Sequence, residues 1–210
     1  MAVEGLDGAG KRTVVDALCE ALAARGARVA RLAFPRYAED VHAALIADAL
    51  HGRLGDLADS VYGMAVLFAL DRRAAADQLR RELAASDVVL VDRYLASNAA
   101  YGAARLRQHA DGEFVGWLRE LELDRFGIPA PDVQLLLRVP CAVAAARTAD
   151  RERADVARAR DVFESDEGLQ RRCAQVYDEL ATRRWVSPWR VLDGGLGDIS
   201  VEALAEDLAG

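Results

Sequence analysis

The chain has 210 residues, 52% of them hydrophobic and 29% charged, with a formal net charge of −7. That length predicts a single domain over 1–210 that buries ~70% of its unfolded surface, and the composition excludes a disordered chain. The acidic balance argues against nucleic-acid partners, which need a basic face; no apolar run approaches the ~18 residues of a membrane span.

Ala2-Val3 is a short apolar start, and residue 1 lies only four positions before the stretch Gly5-Leu6-Asp7-Gly8-Ala9-Gly10-Lys11-Arg12-Thr13. Strand, glycine-rich turn, lysine and helix is the P-loop layout. Backbone N–H groups curl around the phosphates of a nucleotide, and the helix N-terminus adds roughly half a positive charge. A turn that merely caps a helix is the alternative. Lysine usage weighs against it: among 27 Lys plus Arg, Lys11 is the only lysine. The chain uses Arg for every other side-chain positive charge of this kind, and a planar guanidinium does not replace a slim ammonium. Ser or Thr usually follows that lysine as a magnesium ligand. Here Arg12 stands in that place, and Thr13 comes one residue later.

Val14, Val15, Leu18, Ala21 and Leu22 recur at helical spacing up to Gly26, which predicts a helix from Lys11 to about Arg25. Arg28 to Phe34 alternates as a strand, ended by Pro35. Helical patterns follow at about Val41–Leu50 and Ala58–Ala85. Asp87 to Asp92 is an apolar run ending in an acid, as in a buried parallel strand. A helix is expected from about Ala96 and another over Phe114–Phe126, then a strand over Asp132–Val139. Ala142–Arg147 is helical and leads into the arginine-rich stretch Arg147–Arg160. Glu167–Arg183 is amphipathic, Arg190–Asp193 reads as a last strand and Val201–Leu208 as a closing helix. Five strands alternating with helices give an α/β fold, a parallel five-stranded sheet flanked by helices. Cys19, Cys141 and Cys173 are odd in number and lack metal-ligand spacing, as expected of reduced thiols in a cytoplasmic protein.

Ligands of such sheets gather at the carboxyl ends of the strands, which brings three stretches to one rim. Asp92-Arg93-Tyr94 follows the third strand. Its acid suits a magnesium ion or its waters, and its guanidinium offers a fork to a phosphate. A solvated turn is the alternative. Phe34-Pro35-Arg36-Tyr37 places two rings at the end of strand two, either as core or as the wall of a pocket for a flat ligand. Phe68 and Arg72 lie four apart on the long helix and share a face. Ser97, Asn98 and Tyr101 follow the Asp-Arg-Tyr turn at helical spacing; Asn98 offers the donor and acceptor that a base edge requires, or caps a helix. Arg147 to Asp161 is either a solvated hairpin laced with weak ion pairs or a lid that brings arginine onto a transferring phosphate.

The stretches EGLDGAGKRT, FPRY, LFALDR, VDRYLASNAAY and RARDVFE, in this order and spacing, resemble the thymidylate (dTMP) kinases of the P-loop nucleoside monophosphate kinase superfamily. The resemblance runs from the first strand to the last helix. It implies a three-layer P-loop kinase fold with a mobile arginine-rich lid at about 147–163. The activity it implies is transfer of the γ-phosphoryl of ATP to dTMP, in dTTP synthesis, with Mg²⁺ and through a homodimer formed by the long helices. Lys11 and the loop from Gly5 to Thr13 would hold ATP phosphates, with Arg147 and Arg151 from the lid. Asp7 would lie between the two phosphate sites. Arg93 would bind the dTMP phosphate, near Phe34, Tyr37 and Ser97. Phe68 would stack on thymine, Arg72 and Asn98 would address its polar edge, and Tyr101 would exclude a ribose. Asp161 and Glu164 would close over the acceptor. Asp7, Lys11, Arg93 and Arg151 are then the catalytic set. Some members carry an arginine directly after the loop acid, where this chain has Gly8; members often have Tyr where this chain has Phe163. With Arg12 in the usual hydroxyl position, Asp7 and Glu164 are expected to hold the magnesium, and Asp92 one of its waters. The alternatives are a kinase for another deoxynucleoside monophosphate or a P-loop switch protein that hydrolyses nucleotide slowly.

Overall fold

The computed structural model describes residues 1–154, 166–193 and 201–209, with the side chains of 151, 152, 154 and 207–209 left undescribed. Five strands form one parallel sheet: β1 (Ala2–Glu4), β2 (Val29–Ala33), β3 (Val88–Asp92), β4 (Gln134–Arg138) and β5 (Trp189–Asp193). Their spatial order is β2-β3-β1-β4-β5. Alternate residues of β1 and β3 enter opposite cores. Val3 and Leu90 pack into one, with Leu18, Leu22, Leu135 and Leu180. Ala2, Val89 and Val91 pack into the other, with Leu32, Leu79 and Ile128. A strand buried on both faces has no polar face to show, so these segments read as continuous apolar runs.

Helix α1 (Lys11–Ala24) follows the glycine-rich turn and buries Val14, Val15, Leu18 and Leu22, the stripe that the spacing predicts. Gly26, at φ 85°, ends it in the left-handed conformation that residues with a Cβ avoid. Helix α2 (Val41–Leu50) starts on Asp40, whose carboxylate accepts from the N–H of His42. The long helix α3 (Val61–Ala85) begins three residues later than its apolar pattern predicts. A 3₁₀ turn (Leu57–Asp59) takes up the start of that pattern, and Ser60 caps the helix by accepting from Gly63 N–H at 3.1 Å.

Helix α4 (Leu95–Arg105) follows β3. The predicted Phe114–Phe126 helix is instead α5 (Glu113–Arg119), which passes into a π-helical turn at Glu120–Arg125. Helix α6 (Cys141–Ala154) runs seven residues past its predicted end at Arg147, so the first part of the arginine-rich stretch is helical. Its Ala-rich sequence is among the best helix formers, and charged residues do not interrupt it. Helix α7 (Glu167–Thr182) and helix α8 (Val201–Ala209) complete the chain. Asp161 and Glu164 lie outside the described residues. No helix among the described residues is long and apolar enough to cross a membrane.

Strand order fixes where a ligand can sit. From β1 the chain leaves toward β2 at one edge, while from β3 it leaves toward β4 on the other side of β1. The loops after β1 and β3 therefore diverge, and the crevice between them is the topological switch point. The register pairs Val3 and Ala33 with Asp92, which sets Gly5, Phe34 and Arg93 on one rim.

Candidate active site

The glycine-rich turn closes over Lys11. Gly8 has φ 79°, and a Cβ built there would stand 2.1 Å from the carbonyl oxygen of Ala144 and 2.7 Å from Oγ1 of Thr148. Helix α6 thus lies directly on the loop, and an arginine at this position would need that helix to move. Gly10, also left-handed at φ 94°, turns the backbone into α1. Lys11 is only 7% exposed, and its Nζ donates to the carbonyls of Gly5 at 3.0 Å and Leu6 at 2.7 Å. Burial first, then the neighbouring Arg93, lowers its pKa to about 8, although Asp7, Asp92 and Glu4 pull the other way. Around it a depression is lined by Gly8, Gly10, Arg12, Thr13, Asp92 and Arg147. Arg147 reaches in from α6, its Nη1 3.5 Å from the carbonyl of Ala9. Arg151 lies one turn further along α6, and its side chain is outside the described positions.

Beside the loop is a cavity of about 270 Å³ lined by Asp7, Phe34, Pro35, Tyr37, Leu50, Phe68, Arg72, Arg93, Ser97, Asn98 and Tyr101. The nine positions that sequence reasoning assigned to the acceptor, leaving aside Asp161 and Glu164, all lie on this one wall. Phe34 is 5% exposed, in the core, and also lines the cavity. Tyr37 stands at the mouth, 48% exposed. Phe68 and Arg72 face the cavity together, one helical turn apart on α3.

Arg93 is the hinge between loop and cavity. Its φ of 62° is a left-handed conformation that costs a side-chain-bearing residue ~1 kcal/mol or more. The surroundings hold it there: Nη2 donates to Asp7 Oδ1, and Nη1 approaches Ser97 Oγ at 3.3 Å and Gly5 O at 3.4 Å. Tyr101 donates its hydroxyl to Asp7 Oδ2 at 2.5 Å, and the Arg93 guanidinium lies 5.7 Å from the centre of its ring. Burial, and then the Asp7 charge, push the Tyr101 phenol well up, so it stays a donor. One carboxylate thus holds both the arginine and the tyrosine.

Two buried acids that hold residues of the site escaped the sequence reading. Glu4, at the end of β1, is fully buried. It accepts from Tyr94 N–H at 2.9 Å and Ser97 Oγ at 2.6 Å, tying the start of α4 to the strand that carries the loop. Burial raises its pKa, against the Ser97 hydrogen bond and the charge of Arg93. Glu122, in the π-helical turn, takes Arg72 as a bidentate pair with both contacts at 2.6 Å. Its signal was present: Phe114, Leu118 and Glu122 recur every four residues and all are fully buried. An acid on a core stripe needs a buried cation opposite it. Arg36, also unassigned from sequence, holds the loop after β2 to α3 by donating to Asp71 Oδ1 at 2.8 Å.

A phosphate cradle at a helix N-terminus, with an arginine-lined acceptor cavity across a switch point, defines a P-loop phosphotransferase. The family model for thymidylate kinases matches residues 3–188. Thymidylate kinase of Mycobacterium tuberculosis is 48% identical over 209 residues, covering 100% of this chain and 96% of that protein. That of Xanthomonas oryzae pv. oryzae is 37% identical, over 100% and 86%. The human thymidylate kinase is 28% identical, over 98% and 85%. The chain belongs to the thymidylate kinase family; it is a kinase.

The lowered pKa of Lys11 has a measurable consequence. If Lys11 receives the phosphates of ATP, their oxygens favour its ammonium, and binding above pH 8 then draws a proton from solvent. Calorimetry at pH 8.5 in buffers of different ionisation enthalpy is expected to show uptake approaching one proton, and affinity is expected to weaken as pH rises from about 8, by at most about tenfold per unit. The same burial costs stability in full below pH 8 and is relieved as pH climbs from about 8 toward the ordinary lysine value of 10.5. Buffer-independent heats at that pH would refute the lysine's assignment.

Proposed function

We propose the following division of labour for this enzyme, which phosphorylates dTMP to dTDP with ATP as the donor. The observation that carries it is the single wall joining Asp7 and Arg93 to Phe68, Arg72, Asn98 and Tyr101, next to the lysine cradle. Loop amides and Lys11 hold the ATP phosphates, and Arg147 and Arg151 add positive charge from the lid over 147–163. Arg93 receives the acceptor phosphate, with Ser97 relaying its position to Glu4. The pyrimidine lies against Phe68, with Arg72 and Asn98 at its polar edge; Phe34 and Tyr37 bound the far wall. Asp161 and Glu164 close over the acceptor. The acceptor phosphate is already a nucleophile, so positioning and charge neutralisation do the work and no general base is required.

Among the described residues, the side chains lining the phosphate region that could ligate a metal are the oxygen donors Asp7, Thr13 and Asp92, and no three His, Cys, Asp or Glu side chains gather into a metal cage. That donor set fits magnesium, which commonly takes one or two carboxylates and completes its shell with phosphates and water. Asp7 and Asp92 would hold it, with Glu164 from the lid, and when bound it would neutralise charge on the transferring phosphoryl. Asp7 must then share oxygens that Arg93 and Tyr101 hold.

The enzyme acts in the cytoplasm as a homodimer. Val66, Leu67 and Leu70 of α3 are only partly covered, and Val41 and Tyr62 are exposed. Sedimentation is expected to give twice the chain mass.

An acceptor panel with ATP and magnesium tests the assignment. Turnover with dTMP should exceed that with dCMP and dGMP, and dUMP should follow at reduced efficiency. Hydrolysis of ATP without an acceptor at a comparable rate would overturn it. Tyr101 has two separable duties, bulk beside the sugar and a hydrogen bond to Asp7. Tyr101→Ala is expected to narrow the deoxyribose over ribose preference at least about tenfold, as an excluded hydroxyl is readmitted. Tyr101→Phe keeps the bulk, so it should retain the preference and lower kcat. Equal sugar ratios in wild type and Tyr101→Ala would refute the steric role.

A further inference from the structure

Arg72 and Asn98 do not stand at the cavity alone; one buried acid holds both. Glu122 Oε1 accepts from Arg72 Nη2 at 2.6 Å and from Asn98 Nδ2 at 3.0 Å, while Oε2 accepts from Arg72 Nε at 2.6 Å. The second hydrogen of Asn98 Nδ2 goes to the carbonyl of Ala65 at 3.0 Å. Both partners of that amide are acceptors without a hydrogen to give, so the amide cannot be turned over without facing oxygen to oxygen. Asn98 therefore has only its Oδ1 left for the cavity, and Arg72, with Nε and one hydrogen of Nη2 spent on Glu122, keeps only donors: Nη1 and the second hydrogen of Nη2.

We propose that Glu122 sets the polarity of the base-reading edge, fixing Arg72 as the donor and Asn98 as the acceptor. A donor beside an acceptor complements O4 and N3–H of a thymine or uracil. Cytosine presents the inverse pair, an N4 amino donor and a bare N3 acceptor, and meets donor against donor and acceptor against acceptor. Buried polar groups left facing their own kind are what makes such discrimination steep. The carboxylate is 0% exposed and Arg72 is 3% exposed, so no water competes for these contacts. The π-helical turn is what carries Glu122 to this depth: Phe126 N–H reaches back to Leu121 O and Ile128 N–H to Glu122 O. Such turns are often found at functional sites. Glu122 is a positioning residue, acting through Arg72 and Asn98 without touching the base.

The inference rests on the pyrimidine occupying this cavity, and the test separates the two. The measured quantity is the ratio of kcat/KM for dTMP to that for dCMP, in wild type, Glu122→Gln and Glu122→Asp. A glutamine puts its NH₂ either in the place of Oε2, against Arg72 Nε, or in the place of Oε1, against both Arg72 Nη2 and Asn98 Nδ2; either way Arg72 loses a partner and its counter-charge. Aspartate keeps the charge opposite Arg72 but, one methylene shorter, cannot keep all three contacts. Glu122→Gln is expected to lower the ratio at least about tenfold through loss with dTMP and relative gain with dCMP, while KM for ATP stays within about twofold. A merely structural role would lower both acceptors together and leave the ratio alone. Where Glu122→Gln melts below the assay temperature, Glu122→Asp decides by the same ratio. A folded variant with the wild-type ratio overturns the role of Glu122. A wild type that does not distinguish the two acceptors overturns instead the placement of the base.

Discussion

Lys11→Arg is expected to lower kcat by roughly 10²–10³-fold with little change in melting temperature. The lysine occupies a slot closed on three sides, by the carbonyls of Gly5 and Leu6 that its Nζ contacts and by the loop that α6 covers at Gly8. A guanidinium is planar and wide and carries its donors in a rigid fork, so it cannot swing from those carbonyls to a phosphate within the slot. It also stays charged at every working pH, so the buffer-dependent proton uptake expected near pH 8.5 should vanish with the substitution. Two independent readouts thus converge on one residue. A well-folded Arg variant with wild-type turnover would remove Lys11 from the phosphate site.

Asp7→Asn is expected to reduce kcat by about 10²-fold or more and to raise the magnesium concentration needed for half-maximal rate. The carboxylate accepts from Arg93 on one oxygen and Tyr101 on the other. An amide presents one oxygen and one NH₂, so either the arginine or the tyrosine then faces a donor. It also removes the charge that stands against Arg93 and that a hard cation would use. Raising magnesium should restore part of the rate if Asp7 is a ligand, and none if it only orients Arg93. Asn caps turns as well as Asp does, so kcat within about threefold of wild type would mean that Asp7 only shapes the loop.

Composition and spacing determined a good deal of this protein. Apolar runs ending in Asp92 and near Val139 gave buried parallel strands, and the 3.6 period of Val14, Leu18 and Leu22 gave the buried stripe of α1. Both signals are local, because a strand or helix advertises its own buried face. The phosphate loop was legible for the same reason: its glycines, lysine and helix start are contiguous. The resemblance to a family picked out the residues that line the cavity, and the strand order then explains why the loop after β2 meets α3 and α4 there.

Tertiary structure alone decided the rest. Glu4 looked like an ordinary charge, and only its partner Ser97, 93 residues away, marks it as a buried anchor; the stripe with Phe114 and Leu118 hints at Glu122, but the cation that it needs lies 50 residues away. The late start of α3 is set by Ser60, whose capping bond to Gly63 N–H appears only in the structure. The continuation of α6 past Arg147 was hidden because charge density resembles a loop, whereas helix propensity there depends on alanine. Gly8 looked like a missing arginine until α6 was seen to occupy the space that any side chain would need. Pair partners and excluded volume are properties of two distant segments at once. One segment's sequence carries no record of what the other will place against it.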